Sequence, residues 1–293
     1  MKPTPWFTLS WSGYTLELSR RTHVMGVINV TPDSFSDGGQ FFEKERAIEQ
    51  ALQLAGDGAD LIDIGGESTR PYSKGISADE EMSRVIPVVE ALKKELRIPI
   101  SIDTLKAQVA KEALHCGASL VNDISALRSD PEMASVVAEA GVPVILMHMK
   151  GTPADMQAHP TYDDVTAEIL FFLREAMNRA VSKGIPRERI ILDPGIGFGK
   201  SFDHNLELLK ELGRFQCLEA PILVGSSRKA FIGRILDKKV HERDTGTMAT
   251  VAAAVMNGAH IVRVHNVKQA VETVKVIDAI RRGSVEGAYN GED

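Results

Sequence analysis

Short apolar runs, many of them β-branched, recur at residues 24–28, 61–64, 98–102, 119–121, 142–147, 190–192, 221–224 and 261–264. The stretches between them carry helical period. In 78–96 the apolar positions Met82, Val85, Ile86, Val89, Leu92 and Leu96 share one face. Ser77 and Glu80 are spaced as a capping box ahead of that helix, and Pro87 is expected to kink it. Val165, Ile169, Phe172, Leu173, Ala176 and Ala180 mark another long helix after the fifth run. Before the alternation starts, residues 7–11 and 14–19, joined at Ser12-Gly13, read as a hairpin. Eight strand-like runs, each followed by a helical segment, predict an α/β fold with a parallel sheet inside a layer of helices. The count favours a closed (β/α)8 TIM barrel with an N-terminal β-hairpin over an open doubly wound sheet, which would gather ligand groups at one switch point. No break in composition divides the chain, so residues 1–293 are expected to form one domain, with the hairpin at about 7–19 and the barrel at about 23–283.

The polar positions add to this pattern, because nearly every run ends in them: Asn29; Glu67, Thr69 and Arg70; Asp103; Asn122 and Asp123; His148; Asp193; Ser226, Ser227 and Lys229; Arg263 and His265. A ring of this kind is what an active site at the carboxyl face of a barrel requires. It has chemical sectors. Asp103, Asn122 and Asp193 offer acceptors for the N–H edge of a guanidine-like heterocycle. Arg263 and His265 alternate on one strand, share a face and suit phosphate. Asn29 and Asp33 are hard oxygen donors of the type that Mg²⁺ takes beside substrate phosphates and water. A flat nitrogen heterocycle bearing a phosphate ester would use all of these groups.

Each group also has a plainer reading. Asp103 and Asp193 carry equal weight as helix N-caps, Lys229 taken alone reads as a solvated helix residue, and His148 reads as a satisfied strand-end histidine outside the catalytic set. The stretch DPGIGFGKS, 193–201, has Pro194 where a Walker loop needs glycine and evenly spaced glycines where a dinucleotide loop does not. It is expected to be a glycine turn that lets backbone approach a ligand.

Composition narrows the class. Hydrophobic residues make up 43% of the chain and charged residues 25%, as in ordinary globular proteins. Cys116 and Cys217 are too few for a disulfide framework. A net charge of −6 speaks against non-specific nucleic-acid binding, so an anionic ligand must meet a local cluster of cations. With no apolar run of bilayer length and no signal-peptide pattern, a soluble cytoplasmic protein is expected.

The motifs INVTPDSFSDGG (28–39), GGESTRP (65–71), SIDT (101–104), VNDI (121–124), DPGIGFGK (193–200), SSRK (226–229) and RVH (263–265), in this order, resemble the dihydropteroate synthase family. The resemblance implies a transferase of folate biosynthesis that joins 6-hydroxymethyl-7,8-dihydropterin diphosphate to 4-aminobenzoate, a sulfonamide target that uses Mg²⁺ and assembles as a homodimer. It implies that Asp103, Asn122, Asp193 and Lys229 hold the pterin, with Met147 against the ring. Asn29, Arg263 and His265 would hold diphosphate and its metal. Phe35, Thr69, Arg70, Pro71 and Ser227 would lie near the arylamine. The catalytic set is then Asn29, Asp33, Asp103, Lys229, Arg263 and His265, with loops 31–41 and 69–76 as lids. The chain departs from the family pattern at Tyr72-Ser73-Lys74 and at Asn266, where an aspartate is usual. Competing readings are a corrinoid-dependent methyltransferase on a similar barrel, a Schiff-base aldolase using Lys229, and a non-catalytic pterin-binding protein.

Overall fold

The computed structural model describes residues 7–31, 39–69, 73, 75–158 and 160–284. Strands β1 (Thr8–Trp11) and β2 (Tyr14–Glu17) pair antiparallel, with Trp11 opposite Tyr14. Ser12 and Gly13 turn the chain with φ of 45° and 83°, the double positive φ of the hairpin turn that matches strand twist. The remaining strands form one parallel sheet: β3 (His23–Asn29), β4 (Leu61–Gly65), β5 (Ile100–Asp103), β6 (Leu120–Asp123), β7 (Val144–Met147), β8 (Ile190–Asp193), β9 (Leu223–Val224) and β10 (Ile261–Val264). Their order, β8-β7-β6-β5-β4-β3-β10-β9, closes through a parallel bridge between Leu192 and Ile222. The expected barrel is therefore present. β4 is buried at every position, which is why its sequence runs apolar where a half-exposed strand would alternate.

The helices α1 (Gly39–Gly56), α2 (Ala78–Glu95), α3 (Ala107–Cys116), α4 (Met133–Ala140), α5 (Val165–Ser182), α6 (Phe202–Lys210), α7 (Ala230–Leu236), α8 (Asp244–Met256) and α9 (Val267–Arg282) follow the strands. Two of them, α7 and α8, lie between β9 and β10, where the alternation predicted one. Residues 39–41, expected in the first loop, belong to α1. Ser77 caps α2 by accepting from the Glu80 amide at 3.1 Å, but the reciprocal half of the capping box does not form because the Glu80 carboxylate pairs with Arg84. Pro87 stands inside α2 without ending it.

β5, β6 and β8 end at Asp103, Asp123 and Asp193, so these polar residues close the ladders, as the ring at the ends of the runs requires. Asp103 lies opposite Asn122, and Met147 opposite Asp193. The hairpin sits at the other end. Trp11 Nε1 donates to the Ser119 carbonyl at 2.6 Å, and Phe7 meets the His260 ring edge-on at 5.2 Å, both just ahead of barrel strands. With Leu9, Trp11, Leu16 and Leu18 buried against the main core, the hairpin covers the amino-terminal end of the barrel.

Asp278 ties the last helix to the first barrel strand. Its carboxylate accepts from the Thr22 amide at 2.7 Å and from the Thr22 hydroxyl at 2.9 Å, with both residues buried. Asp278→Ala leaves both donors without their partner and is expected to cost about 2–4 kcal/mol. The check is a lower urea midpoint with unchanged slope; an unchanged midpoint would show that the tie carries no stability.

Candidate active site

At the carboxyl ends of the strands a guanidinium lies between two acids. Arg263 Nε donates to Asp63 Oδ2 at 2.6 Å and Arg263 Nη2 to Asp103 Oδ2 at 2.8 Å. Asn122 Nδ2 donates to the same Asp63 oxygen at 3.0 Å. Arg263, Asp103 and Asn122 were expected in separate sectors, one for phosphate and one for the heterocycle, yet they form one network. Its centre, Asp63, escaped the sequence reading. The available signal was a carboxylate inside the apolar run LIDI, since a charge buried in a barrel strand must have a partner. Asp63 Oδ1 is buried and has no hydrogen-bond partner among the described residues.

Burial pushes the Asp103 carboxyl up to about 7; Arg263 opposes the rise, and Asp63, Glu81 and Asp123 add to it. Burial likewise raises Asp193 to about 6, against the Gly195 amide and the cations Lys200, Lys229 and Arg263. Lys229 is drawn down to about 8 by burial and then by Arg263. Arg263 is held more firmly charged: burial works against it, and Asp63 and Asp103 prevail. Acids and a base that change charge near neutrality, gathered at one barrel mouth, are the electrostatic mark of a functional site.

For Asp103, Asp193 and Lys229 the plainer readings fail on geometry. The N-cap position of α3 is Lys106, and Asp103 faces Arg263. Asp193 Oδ1 accepts from the Gly195 amide at 2.7 Å within its own turn. Lys229 is half-buried, with Nζ 4.0 Å from the centre of the Phe198 ring. His148 is indeed satisfied: it is buried, its Nδ1 lies 2.9 Å from Lys200 Nζ, and burial followed by Lys200 drives its pKa far down. Lys200, unassigned in sequence, is buried and also donates to the Phe198 carbonyl at 2.9 Å, so it pins the glycine turn from within. That turn approaches protein and not only ligand. At Gly195 (φ 72°) a Cβ would stand 2.0 Å from the His148 carbonyl oxygen, and at Gly197 (φ 85°) one would stand 2.8 Å from Lys229 Cδ.

Met147 is buried with Ile124, Met149 and Met156, against Leu105 and Phe198, in a cluster separate from the main core. This supplies an apolar surface beside the acids. On the other side, His265 Nδ1 lies 2.9 Å from Ser227 Oγ, which also accepts from the His265 amide at 3.2 Å. Ser227, expected beside the arylamine, thus holds the imidazole. Asn266, where the family pattern has an aspartate, caps α9 by accepting from the Gln269 amide at 3.2 Å and donates to Asp244 at 3.0 Å. Asn29 is exposed at the end of β3, and Thr69 is half-buried. Asp33, Phe35, Arg70, Pro71, Tyr72 and Lys74 lie outside the described residues, as does most of loop 31–41. Among the described residues no group of three His, Cys, Asp or Glu side chains could hold a metal ion, which leaves Asn29 as the one expected metal ligand that is described.

Residues 25–265, which include the barrel strands from Met25 onward and this ring, match the family model described as pterin binding enzyme, so the chain is a pterin-binding enzyme. The dihydropteroate synthase of Bacillus subtilis (strain 168) is 48% identical over 271 residues, 92% of this chain and 93% of that protein. A crystal structure of the Yersinia pestis dihydropteroate synthase with a sulfonamide drug superposes with a TM-score of 0.89 at 45% identity, covering 95% of this chain and 100% of that one. The Xanthomonas albilineans dihydropteroate synthase with 4-aminobenzoic acid gives 0.88 at 44% identity, covering 94% and 99%. The chain belongs to the dihydropteroate synthase family.

The raised carboxyls leave a signature in stability. From pH about 4 upward the unfolded chain has released protons, at the ordinary value of 3.8, that folded Asp193 still holds until about 6. Unfolding free energy therefore loses a contribution as pH rises across that window. Asp193→Asn removes it, so the stability gained by the variant over wild type should grow from pH about 4 to about 7. Urea midpoints across this range test it, and a constant difference would overturn it.

Proposed function

We propose that this mouth transfers the pterinylmethyl group of 6-hydroxymethyl-7,8-dihydropterin diphosphate to 4-aminobenzoate, forming 7,8-dihydropteroate and releasing diphosphate. The observation that carries the reading is the joining of Asp103, Asn122 and Arg263 through Asp63, with Asp193, Lys229 and the Met147 cluster around the same mouth. Asp103, Asn122 and Asp193 accept from, and orient, the pterin edge, while Met147 packs on its face. Lys229 donates to the pterin. The bond from the exocyclic methylene carbon to the ester oxygen breaks, and its electron pair leaves on diphosphate, where the fixed positive charge of Arg263 and the donors of His265 stabilise it. The acids steady the positive charge left on the pterin. The amine nitrogen of 4-aminobenzoate then bonds to the carbon and sheds a proton, so no protein nucleophile is needed.

Asn29 offers a rim oxygen of the kind that Mg²⁺ accepts when phosphate and water supply its other ligands, and the sequence adds Asp33. Mg²⁺ held there would contribute Lewis-acid charge on the diphosphate oxygens. Phe35, Thr69, Arg70, Pro71 and Ser227 are assigned to the arylamine, the subsite for which sulfonamides would compete. A homodimer is the proposed assembly, and Ile235 and Val240, 62% and 53% exposed, provide apolar surface near α7 for it.

A diphosphate-release assay with both substrates tests the reaction. Asp193→Ala should cost about 3 kcal/mol, roughly a hundredfold in pterin affinity by calorimetry; wild-type affinity would remove Asp193 from the site. 4-Aminobenzoate should bind weakly to the free enzyme and much more tightly with diphosphate and Mg²⁺ present. Equal affinity in equilibrium dialysis would contradict that order. The lowered pKa of Lys229 favours one rival, an imine-forming aldolase. Borohydride treatment with substrate should leave the mass of the Lys229 peptide unchanged, and a trapped adduct would favour the rival.

A further inference from the structure

The segment that leads from β4 to Thr69 is gripped from two helices. Gly66 packs so tightly on α2 that a Cβ there would lie 2.7 Å from Val85 Cγ1, and its carbonyl accepts from Arg84 Nη1 at 2.8 Å. The next residue, Glu67, pairs with the ammonium of Lys106, which stands at the start of α3 and caps it with no side-chain bond. The same ammonium pairs with Oε2 of Glu81 on α2, whose side chain is fully buried and whose Oε1 has no hydrogen-bond partner among the described residues. Glu81 needs a cation for burial alone. Glu67 does not, because its side chain retains 16% exposure. Lys106 thus spans an acid that must be neutralised and an acid two residues before Thr69. None of these three charged groups is assigned a contact with either substrate.

We propose that Lys106 is a positioning residue for the arylamine: anchored on Glu81, it holds Glu67 and thereby places Thr69 at the barrel mouth. The proposal rests on the assignment of Thr69 to the arylamine subsite. A purely structural role, neutralising Glu81, predicts different behaviour, and the variants Lys106→Met, Lys106→Met with Glu81→Gln, Glu67→Ala and Lys106→Arg separate the two.

Steady-state kinetics by diphosphate release and calorimetry with the pterin substrate are measured on each. Lys106→Met is expected to raise KM for 4-aminobenzoate about tenfold, as a modest misplacement of a substrate contact does, with pterin affinity within about twofold of wild type. Adding Glu81→Gln should restore thermal stability without restoring that KM. Glu67→Ala should raise the same KM, and Lys106→Arg should recover most of it. The proposal is overturned if the double variant regains wild-type KM, or if Glu67→Ala leaves KM unchanged. If Lys106→Met does not fold, the other three variants decide. Failure of the functional reading looks different: wild-type enzyme would then release no diphosphate at all.

Discussion

Burying a guanidinium between carboxylates is the constraint around which the mouth of this barrel is arranged. Arg263 stands on β10, Asp63 on β4 and Asp103 on β5, and the pairing of β10 with β3, and of β3 with β4, sets the guanidinium beside the acids. Each charge is tolerable only while the others are in place, because removing one partner leaves an uncompensated ion away from water. The same network explains the near-neutral titration of Asp103: burial and neighbouring acids push it up, and the single guanidinium only partly restrains it. An enzyme that must accept N–H donors and release an anion within a few ångströms gains from such a cluster. Its acceptors are aimed by strands, and its cation is held charged before substrate arrives.

Stability and chemistry are kept at opposite ends. The amino-terminal end is closed by the hairpin, with Trp11 bonded to the Ser119 carbonyl and Asp278 holding Thr22. The carboxyl end keeps its polar groups, and a small apolar cluster around Met147 is cut off from the main core. The glycine turn after β8 joins these features, because positive φ at Gly195 and Gly197 lets it lie on the His148 carbonyl and the Lys229 stem while Lys200 holds it from inside. The polar side chains at the mouth are therefore braced by packed backbone.

Much of this was legible beforehand for identifiable reasons. Parallel barrel strands are buried on both faces, so they appear as continuous apolar runs, and the helices between them carry one apolar face; eight such units leave few architectures. Asn29, Asp103, Asn122, Asp193, Lys229, Arg263 and His265 stood out because each interrupts or ends an apolar run. Asp63 was overlooked because it lies within a run, where a single polar letter looks like noise. Lys106, Glu81 and Lys200 were overlooked because each has a partner distant in the chain, Glu81 for Lys106 and His148 for Lys200.

By itself the sequence determined periodicity, the order of strands and helices, and which residue types stand at strand ends, since these follow from local propensity and from which side chains water would otherwise cover. Tertiary structure alone decided pairing: that one oxygen of Asp63 serves both Asn122 and Arg263, that Ser227 holds His265, and that Lys106 joins α2 to the segment after β4. The physical reason is that hydrogen bonds and ion pairs depend on distances of about 3 Å, set only when the folded sheet brings together residues as distant in the chain as Asp63 and Arg263.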